Sequence, residues 1–445
     1  MNGKLAVISL GCAKNLVDAE AAVGALLAAG YELTAEEEEA DVVLVNTCAF
    51  IGPAREEARA VLMEVSERLR PEAVLAVTGC FPQLAAEELA SEFARADVIL
   101  GVDAAAEVAA AIGEARLGQR VIRVGPPRPP LAGLAERPRL TLPHASFLKI
   151  AEGCDHPCSF CAVPRLRGRH RSRPPADVLR EAELAAAHGV AELTLLAQDT
   201  SRYGADLEED TNLAALLRDL ASVGVPWIRV LYLHPERLTD ELATTFAELP
   251  AVVNYFDVPL QHASPRLLEA MGRPAWTPEE TLARLARVRE IVPGAAFRTS
   301  LLVGFPGETE ADVDLLADFL AEARLDHVGV FTFSAEEGTP AAALEGRPAP
   351  EEAENRRGRL MLLQQEIVAT RYREIVGAGY EVLVDGVAPE GAAVGRTYFQ
   401  GPEGDPVTIV ADAGDVSAGQ FVAAEITGND GYELLARRAE ERSGA

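Results

Sequence analysis

Six cysteines in a chain of 445 residues fall into two groups of three, and their spacing carries the strongest chemical signal in the sequence. Cys154, Cys158 and Cys161 lie within Glu152-Gly153-Cys154-Asp155-His156-Pro157-Cys158-Ser159-Phe160-Cys161, a CxxxCxxC string that follows a strand-like apolar run. Three thiolates so closely placed hold three corners of a 4Fe-4S cube and leave the fourth iron open, a corner that an electron-passing ferredoxin ordinarily fills with a fourth cysteine. An open iron can chelate the amino and carboxylate groups of S-adenosylmethionine (SAM), and an electron passed into the sulfonium then breaks a C–S bond to give a radical. Phe160 is placed to pack beside the cluster or the adenine, or to serve as a plain core aromatic.

Cys12, Cys48 and Cys80 are too far apart to form a short motif, yet each stands directly after a strand-like run, in Ser9-Leu10-Gly11-Cys12, Asn46-Thr47-Cys48 and Thr78-Gly79-Cys80. In an open α/β sheet, ligand sites gather at the carboxyl ends of the strands, and neighbouring strand ends are about 5 Å apart. Three thiols delivered there can converge on one group, and Gly11 and Gly79 suit backbone that bends closely around it. Two other readings stand beside this one: three small buried hydrophobes, or zinc with a distant fourth ligand.

The elements that must carry these thiols follow an α/β grammar. Short Val/Leu/Ile-rich runs at 5–11, 41–47, 73–79 and 97–101 alternate with helical stretches such as 15–29 and 53–70, which predicts a mostly parallel sheet covered by helices. A Pro/Arg-rich segment, 123–143, reads as an extended linker. Six further strands are expected at 146–150, 192–197, 227–232, 254–258, 297–304 and 327–333, with helical crossovers that fit a partial barrel. After a helix at 351–376 the grammar changes to short strands at 381–385, 393–400, 407–411, 420–426 and 433–437, a small all-β barrel. The length fits two or three domains, and 49% apolar with 25% charged residues is a globular balance. The net charge of -28 disfavours general attraction to a polyphosphate backbone. The apolar run at the start is shorter than the ~7–15 residues of a leader core, and no run reaches the ~18 residues of a membrane span, so a cytoplasmic protein away from membranes is expected.

The CxxxCxxC string and the three-part organisation resemble the radical SAM methylthiotransferases. Leu10-Gly11-Cys12-Ala13-Lys14-Asn15-Leu16-Val17-Asp18, Ala151-Glu152-Gly153-Cys154, Arg165-Leu166-Arg167-Gly168, Ala197-Gln198-Asp199-Thr200-Ser201-Arg202-Tyr203-Gly204 and Gly304-Phe305-Pro306-Gly307-Glu308-Thr309 are similar to the branch acting on the twelfth protein of the small ribosomal subunit. The resemblance spans nearly the whole chain and implies three domains. They are an α/β amino-terminal domain over 1–120, a partial (β/α)6 radical SAM barrel over 144–371 after a linker at 121–143, and a TRAM barrel over 372–445. It assigns an auxiliary 4Fe-4S cluster to Cys12, Cys48 and Cys80, and the radical-generating cluster to the catalytic cysteines Cys154, Cys158 and Cys161. It further implies two SAM-dependent steps that place a methylthio group on the β-carbon of an aspartate. That carbon has no useful acidity, so a radical is needed where a general base fails. Ala13 stands where close relatives often have proline, and Phe399-Gln400-Gly401-Pro402-Glu403-Gly404-Asp405 replaces a more aspartate-led segment; neither touches a cluster ligand.

Among polar residues near expected strand ends, Gln198, Arg229, Gln261 and Arg298, the first three join Phe160 as expected SAM contacts, with ordinary hydrogen bonding inside the barrel as the alternative. The 304–309 turn lacks the GKS or GKT of a P-loop, and Thr309 is a plausible helix cap. Arg165–Arg173 holds five arginines and His170 and reads either as a solvated loop or as a contact for an acidic group. Residues 372–445 carry 13 acidic side chains against five arginines and no lysine, which suits a basic ribosomal protein better than transfer RNA, the substrate of the nearest alternative activity. A flavodoxin-like or reductase electron donor, a sulfur donor and a monomeric enzyme complete the expectation. An electron carrier or a zinc-stabilised interaction protein would use the same thiols without cleaving SAM.

Overall fold

The computed structural model describes residues 3–127, 137–389 and 391–439. The first apolar runs form strands β1 (Gly3–Ser9), β2 (Tyr31–Leu33), β3 (Val42–Thr47), β4 (Val74–Gly79), β5 (Ala96–Leu100) and β6 (Val121–Arg123), interleaved with helices α1 (Ala13–Ala28), α2 (Gly52–Arg68), α3 (Cys80–Glu92) and α4 (Val108–Arg116). All pairings are parallel, in the order β2-β1-β3-β4-β5-β6. Every residue of β3 and β4 is buried, as continuous apolar runs in a sheet covered on both faces should be. The edge strands β2 and β6 escape a pattern-based reading because each has three residues, two of them exposed.

The second unit opens with β7 (Ala145–Lys149) and a two-residue strand β8 (Ala151–Glu152) that pairs antiparallel with β9 (Arg171–Ser172). Between β8 and β9 lie the CxxxCxxC loop and the short helix α5 (Val163–Arg167). Strands β10 (Glu192–Leu196), β11 (Trp227–Val230), β12 (Val252–Asp257), β13 (Ala296–Val303) and β14 (His327–Thr332) continue a six-stranded parallel sheet in sequential order from β7 to β14. Helices α6 (Pro175–Ala187), α7 (Leu213–Ala221), α8 (Asp240–Glu248), α9 (Pro265–Ala270), α10 (Pro278–Ile291) and α11 (Glu310–Ala323) supply its crossovers and flanks. Leu193, Ile228, Phe256 and Phe297 of the strands pack with Leu217, Phe246, Val288 and Leu316 of the helices in one core, the partial barrel expected. Thr309 caps α11 in a full capping box with Asp312. Within the preceding turn, Glu308 accepts from the Gly304 N–H at 2.8 Å and from Arg356 at 2.7 Å, so the 304–309 string is a structural joint.

Helix α12 (Pro350–Glu374) leads into β15 (Gly379–Val387), β16 (Ala393–Arg396), β17 (Thr408–Ala411), β18 (Phe421–Asp430) and β19 (Glu433–Arg438), which close into a five-stranded barrel. One apolar cluster joins all three units, with Ala13 and Val17 of α1, Leu231 and Tyr255 of the central sheet, and Val382 and Phe399 of the small barrel. Of the expected linker at 121–143, residues 128–136 lie outside the described residues. Its first part extends the amino-terminal sheet as β6, and Arg137 is a buried clip that donates to Glu20 on α1, to Glu181 on α6 and to the Phe147 carbonyl on β7.

Candidate functional site

Strand order and register bring the first thiol triplet together. Ser9, Asn46 and Thr78 stand side by side on β1, β3 and β4, and Cys12, Cys48 and Cys80 follow them by three, two and two residues. The three cysteines therefore leave one end of the sheet at one height. β1 lies between β2 and β3, so the chain order reverses beside Cys12 and Cys48, where open α/β sheets place their ligand crevice. Close approach is built in: at Gly11 (φ +91°) a Cβ would lie 2.7 Å from the Cys48 Cβ, and at Gly79 (φ +97°) one would lie 2.5 Å from the Thr47 carbonyl oxygen.

Polar side chains lock this floor. Asn15 Nδ2 donates to the carbonyls of Leu10 at 3.1 Å and Thr47 at 3.0 Å, Asn46 donates to the Asn15 carbonyl at 2.7 Å, and Thr78 donates to Asn46 Oδ1 at 3.0 Å. Cys12 is exposed at the start of α1, whereas Cys48 and Cys80 are buried. Burial pushes the Cys48 thiol up to about 11 and raises Cys80 as well, where Arg167 is the main opposing influence.

The second triplet hangs on backbone bonds. The Cys154 N–H donates to the Gly168 carbonyl at 3.1 Å, Ser159 N–H to Met271 at 2.9 Å, Cys161 N–H to Cys158 at 3.1 Å, and Ala341 N–H to Ser159 at 2.8 Å. Burial pushes Cys154 up to about 11 and Cys161 to about 12, and all three residues are half-buried. Arg273 lies 3.8 Å from Cys158 Sγ. His156, inside the loop, bonds Asp199 at 2.7 Å and stacks on His234 with ring centroids 3.9 Å apart.

Helix α5 ties the two triplets to each other. It begins two residues after Cys161 and, at about 1.5 Å per residue, is only ~8 Å long. Ala162 and Leu166 pack in the same core as Cys80 and Phe81 of the amino-terminal domain. The last residue, Arg167, reaches Cys80 Sγ at 3.2 Å and also donates to Asn15 Oδ1, Asp18 and Glu152. Lys149 bridges Asp18 and Glu152, and Gln198 Nε2 donates to Glu152 Oε1 at 2.5 Å. Burial opposes the charges here, but Lys149 and Arg167 hold the Glu152 carboxyl far below its ordinary value, and Asp18, Cys80 and Glu152 hold Arg167 above its own.

The arginine run is thus mostly internal scaffolding. Arg173 is buried against Glu181 and the Lys149 carbonyl, Arg171 donates to the carbonyls of Arg167 and Arg169, and the two exposed members are Arg165, which donates to the Glu337 carbonyl, and Arg169, whose side chain is almost wholly exposed. Sequence reasoning missed Asn15, Asp18, Lys149, Glu152 and Arg167 as a single network. No local pattern marks it, because the five arginines alternate alike whether exposed, as Arg165 and Arg169 are, or buried, as Arg167 and Arg173 are.

The residues expected to contact SAM divide. Gln198 stands two residues beyond β10, beside Glu152, and its Oε1 is buried with no partner among the described residues. Gln261 bridges to β13 at the same end of the sheet, in a left-handed conformation (φ +74°). Phe160 is half-buried against Leu267, Met271 and Phe305, in a small apolar cluster under the cysteine loop. Arg229 lies elsewhere: its guanidinium is fully buried, donating to Glu192 at 2.7 Å and to the Tyr398 carbonyl of the small barrel at 2.7 Å. Ile228 and Val230 face the helices, so the strand alternation turns Arg229, in register with Thr194, inward, and its guanidinium reaches back to Glu192, the first residue of β10 at the end of the sheet away from the thiols. Arg298 likewise pairs with Asp405 of the small barrel at 3.1 Å.

The donor set fits clusters. Among the described residues, no three His, Cys, Asp or Glu side chains are arranged around a single metal ion, and a cubane does not ask for that, because each thiolate binds a different iron. Thiols raised by burial keep their protons at neutral pH until a strongly cationic partner such as iron stabilises the thiolate and displaces the proton. A parallel partial barrel with CxxxCxxC at the carboxyl ends of its strands, beside a second domain presenting three more thiols, defines a radical SAM enzyme of the methylthiotransferase kind.

Family comparisons agree. The Radical SAM superfamily profile matches residues 148–320, the profile described as Uncharacterized protein family UPF0004 matches 4–101, and the TRAM domain profile matches 376–438. A ribosomal protein uS12 methylthiotransferase RimO from Symbiobacterium thermophilum is 44% identical, covering 98% of this chain and 91% of that protein. Those of Synechococcus sp. (strain CC9605) and Pelotomaculum thermopropionicum are 43% and 41% identical, covering 97% and 98% of this chain and 94% and 99% of theirs. The chain belongs to the ribosomal protein uS12 methylthiotransferase family. Among solved structures, the radical S-adenosylmethionine methyltransferase TsrM from Kitasatospora setae, with cobalamin and a [4Fe-4S] cluster bound, shares the fold at a TM-score of 0.55 and 19% identity over 76% of each chain.

Proposed function

We infer that this chain attaches a methylthio group to the β-carbon of an aspartate in ribosomal protein uS12. One 4Fe-4S cluster is held by Cys154, Cys158 and Cys161, and a second by Cys12, Cys48 and Cys80. The observation that carries this reading is α5, which roots the radical loop in the amino-terminal domain and sets its last residue against Cys80. A hydrogen-abstracting site and a sulfur-presenting site must share one substrate, and a five-residue helix between them imposes that closeness.

When bound, the clusters and SAM supply the electron, the methyl group, the transferable sulfur and the hydrogen abstraction. The chain's own part is to hold and orient. Gln198, fixed through Nε2 by Glu152, presents its free Oε1 acceptor to the N–H or O–H donors of SAM. Gln261 and Phe160 flank the same strand ends, and Arg229 has no place in this set. Buried Lys149 and Arg167 neutralise Asp18 and Glu152, so the floor between the triplets carries no uncompensated charge.

The acidic third domain suits a basic ribosomal protein, whose approach it would steer. Among the described residues no helix is long and apolar enough to cross a membrane. The enzyme acts in the cytoplasm as a monomer, drawing electrons from a reductase or flavodoxin-like donor and sulfur from a separate donor. Incubation of the reconstituted protein with small ribosomal subunits, reductant, sulfide and SAM should add a methylthio group to one aspartate of uS12, read by peptide mass spectrometry. Modification of transfer RNA with uS12 unchanged would sink the assignment.

A further inference from the structure

Among the described residues, Cys80 is the one thiol of the first triplet that receives a side-chain donor from outside its own domain. Arg167 Nη2 lies 3.2 Å from its sulfur, and the same nitrogen donates to Asn15 Oδ1. Arg167 is 4% exposed, so solvent does not screen this contact. Its other nitrogen is anchored by Asp18 and by Glu152 at 3.3 Å, and the far oxygen of Glu152 holds Gln198. A continuous chain, Gln198–Glu152–Arg167–Cys80, thus runs from the strand ends of the barrel to the amino-terminal thiols. At the radical triplet, the Arg273 guanidinium stands at 3.8 Å from Cys158 and is fixed by the Pro259 carbonyl at 2.6 Å.

We propose that Arg167 is a positioning residue that sets the reduction potential of the auxiliary cluster through its hydrogen bond and charge at Cys80, and that it does so from the radical SAM domain. The proposal rests on the reading that Cys12, Cys48 and Cys80 hold that cluster. A donor and a positive charge at a ligand sulfur stabilise the more negative, reduced cluster, so they raise its potential. Lysine keeps the charge without the two-nitrogen fork that touches Asn15 and Asp18 together; glutamine keeps a donor and loses the charge. Arg173, in the same arginine run, pairs with Glu181 and touches no thiol, so it reports purely structural effects of altering the loop.

The test uses full-length protein in which Cys154, Cys158 and Cys161 are alanine, reconstituted anaerobically so that only the auxiliary site can load. Redox titration followed by EPR should give a more negative potential for Arg167→Gln, an intermediate value for Arg167→Lys, and the parent value for Arg173→Lys. Pulsed EPR on the parent grown with 15N-arginine should show a nitrogen coupling to the reduced cluster, a readout that needs no substitution at Arg167. A loaded cluster with unshifted potential in Arg167→Gln, or without arginine coupling in the parent, overturns the proposal. A triple-alanine parent that binds no iron and sulfide overturns the auxiliary-cluster reading itself, and this inference with it.

Discussion

The two thiol triplets differ in how they are made. Cys154, Cys158 and Cys161 fit within eight consecutive residues of one loop, which backbone bonds tie to Gly168, Met271 and Ala341, whereas Cys12, Cys48 and Cys80 are spread over three strand ends and meet only when β1, β3 and β4 pair in register. A site written in one loop depends on local spacing. One assembled from a sheet inherits the stability of the sheet, and a single slip in register would turn its neighbours to the other face.

The largest effects should separate the triplets completely. Cys158→Ala should abolish 5′-deoxyadenosine formation while leaving about four irons at the other site; Cys80→Ala should keep SAM cleavage and lose the methylthiolated product. Iron and sulfide analysis with product chromatography decides this, and joint loss of both clusters in either variant would break the comparison. Next, Gly11→Ala forces a side chain into φ +91° and onto Cys48, a strain of about 1–3 kcal/mol confined to the sheet-borne site. Auxiliary iron should fall with the radical site intact; full loading of both would show that the close approach at Gly11 is not needed.

A smaller effect sharpens which polar residues serve the radical site. Gln198→Ala should raise KM for SAM about tenfold, the equivalent of ~1.4 kcal/mol for one lost hydrogen bond, while Arg229→Met should leave that KM unchanged and weaken docking of the small barrel. Initial rates with SAM varied, together with urea unfolding, test both; an equal rise in KM for the two variants would contradict the placement of Arg229.

The mildest prediction concerns pH in the metal-free protein. Burial raises Cys48 and Cys154 to about 11 and Cys161 to about 12, whereas thiols of an unfolded chain ionise near ~8.5. Above that value the unfolded state loses protons first, so stability falls as pH rises towards the folded values and is unaffected below it. Urea midpoints at pH 7 and pH 10 should diverge for the metal-free protein and much less for the loaded one, whose thiolates are already ionised. Equal sensitivity in both forms would show that the thiols are not the titrating groups.

Sequence alone carried the α/β alternation and the change to short strands after α12, and its spacing pointed to the chemistry proposed for the CxxxCxxC loop, because each depends on spacing or periodicity within a few residues. It also placed Cys12, Cys48 and Cys80 at strand ends, since the apolar runs stop just before them. Which strands are neighbours was decided only in three dimensions, and with it the reversal beside Cys12 and Cys48 that gathers the thiols. Side-chain direction was decided there too. Arg229 and Gln198 look alike on paper, but strand alternation and strand polarity send one to the small barrel and the other to Glu152, two residues before the cysteine loop begins. The arginine run needed the fold most of all: a string of like charges reads as a solvated surface until half-buried Asp18 and buried Glu152 and Glu181 are brought against it.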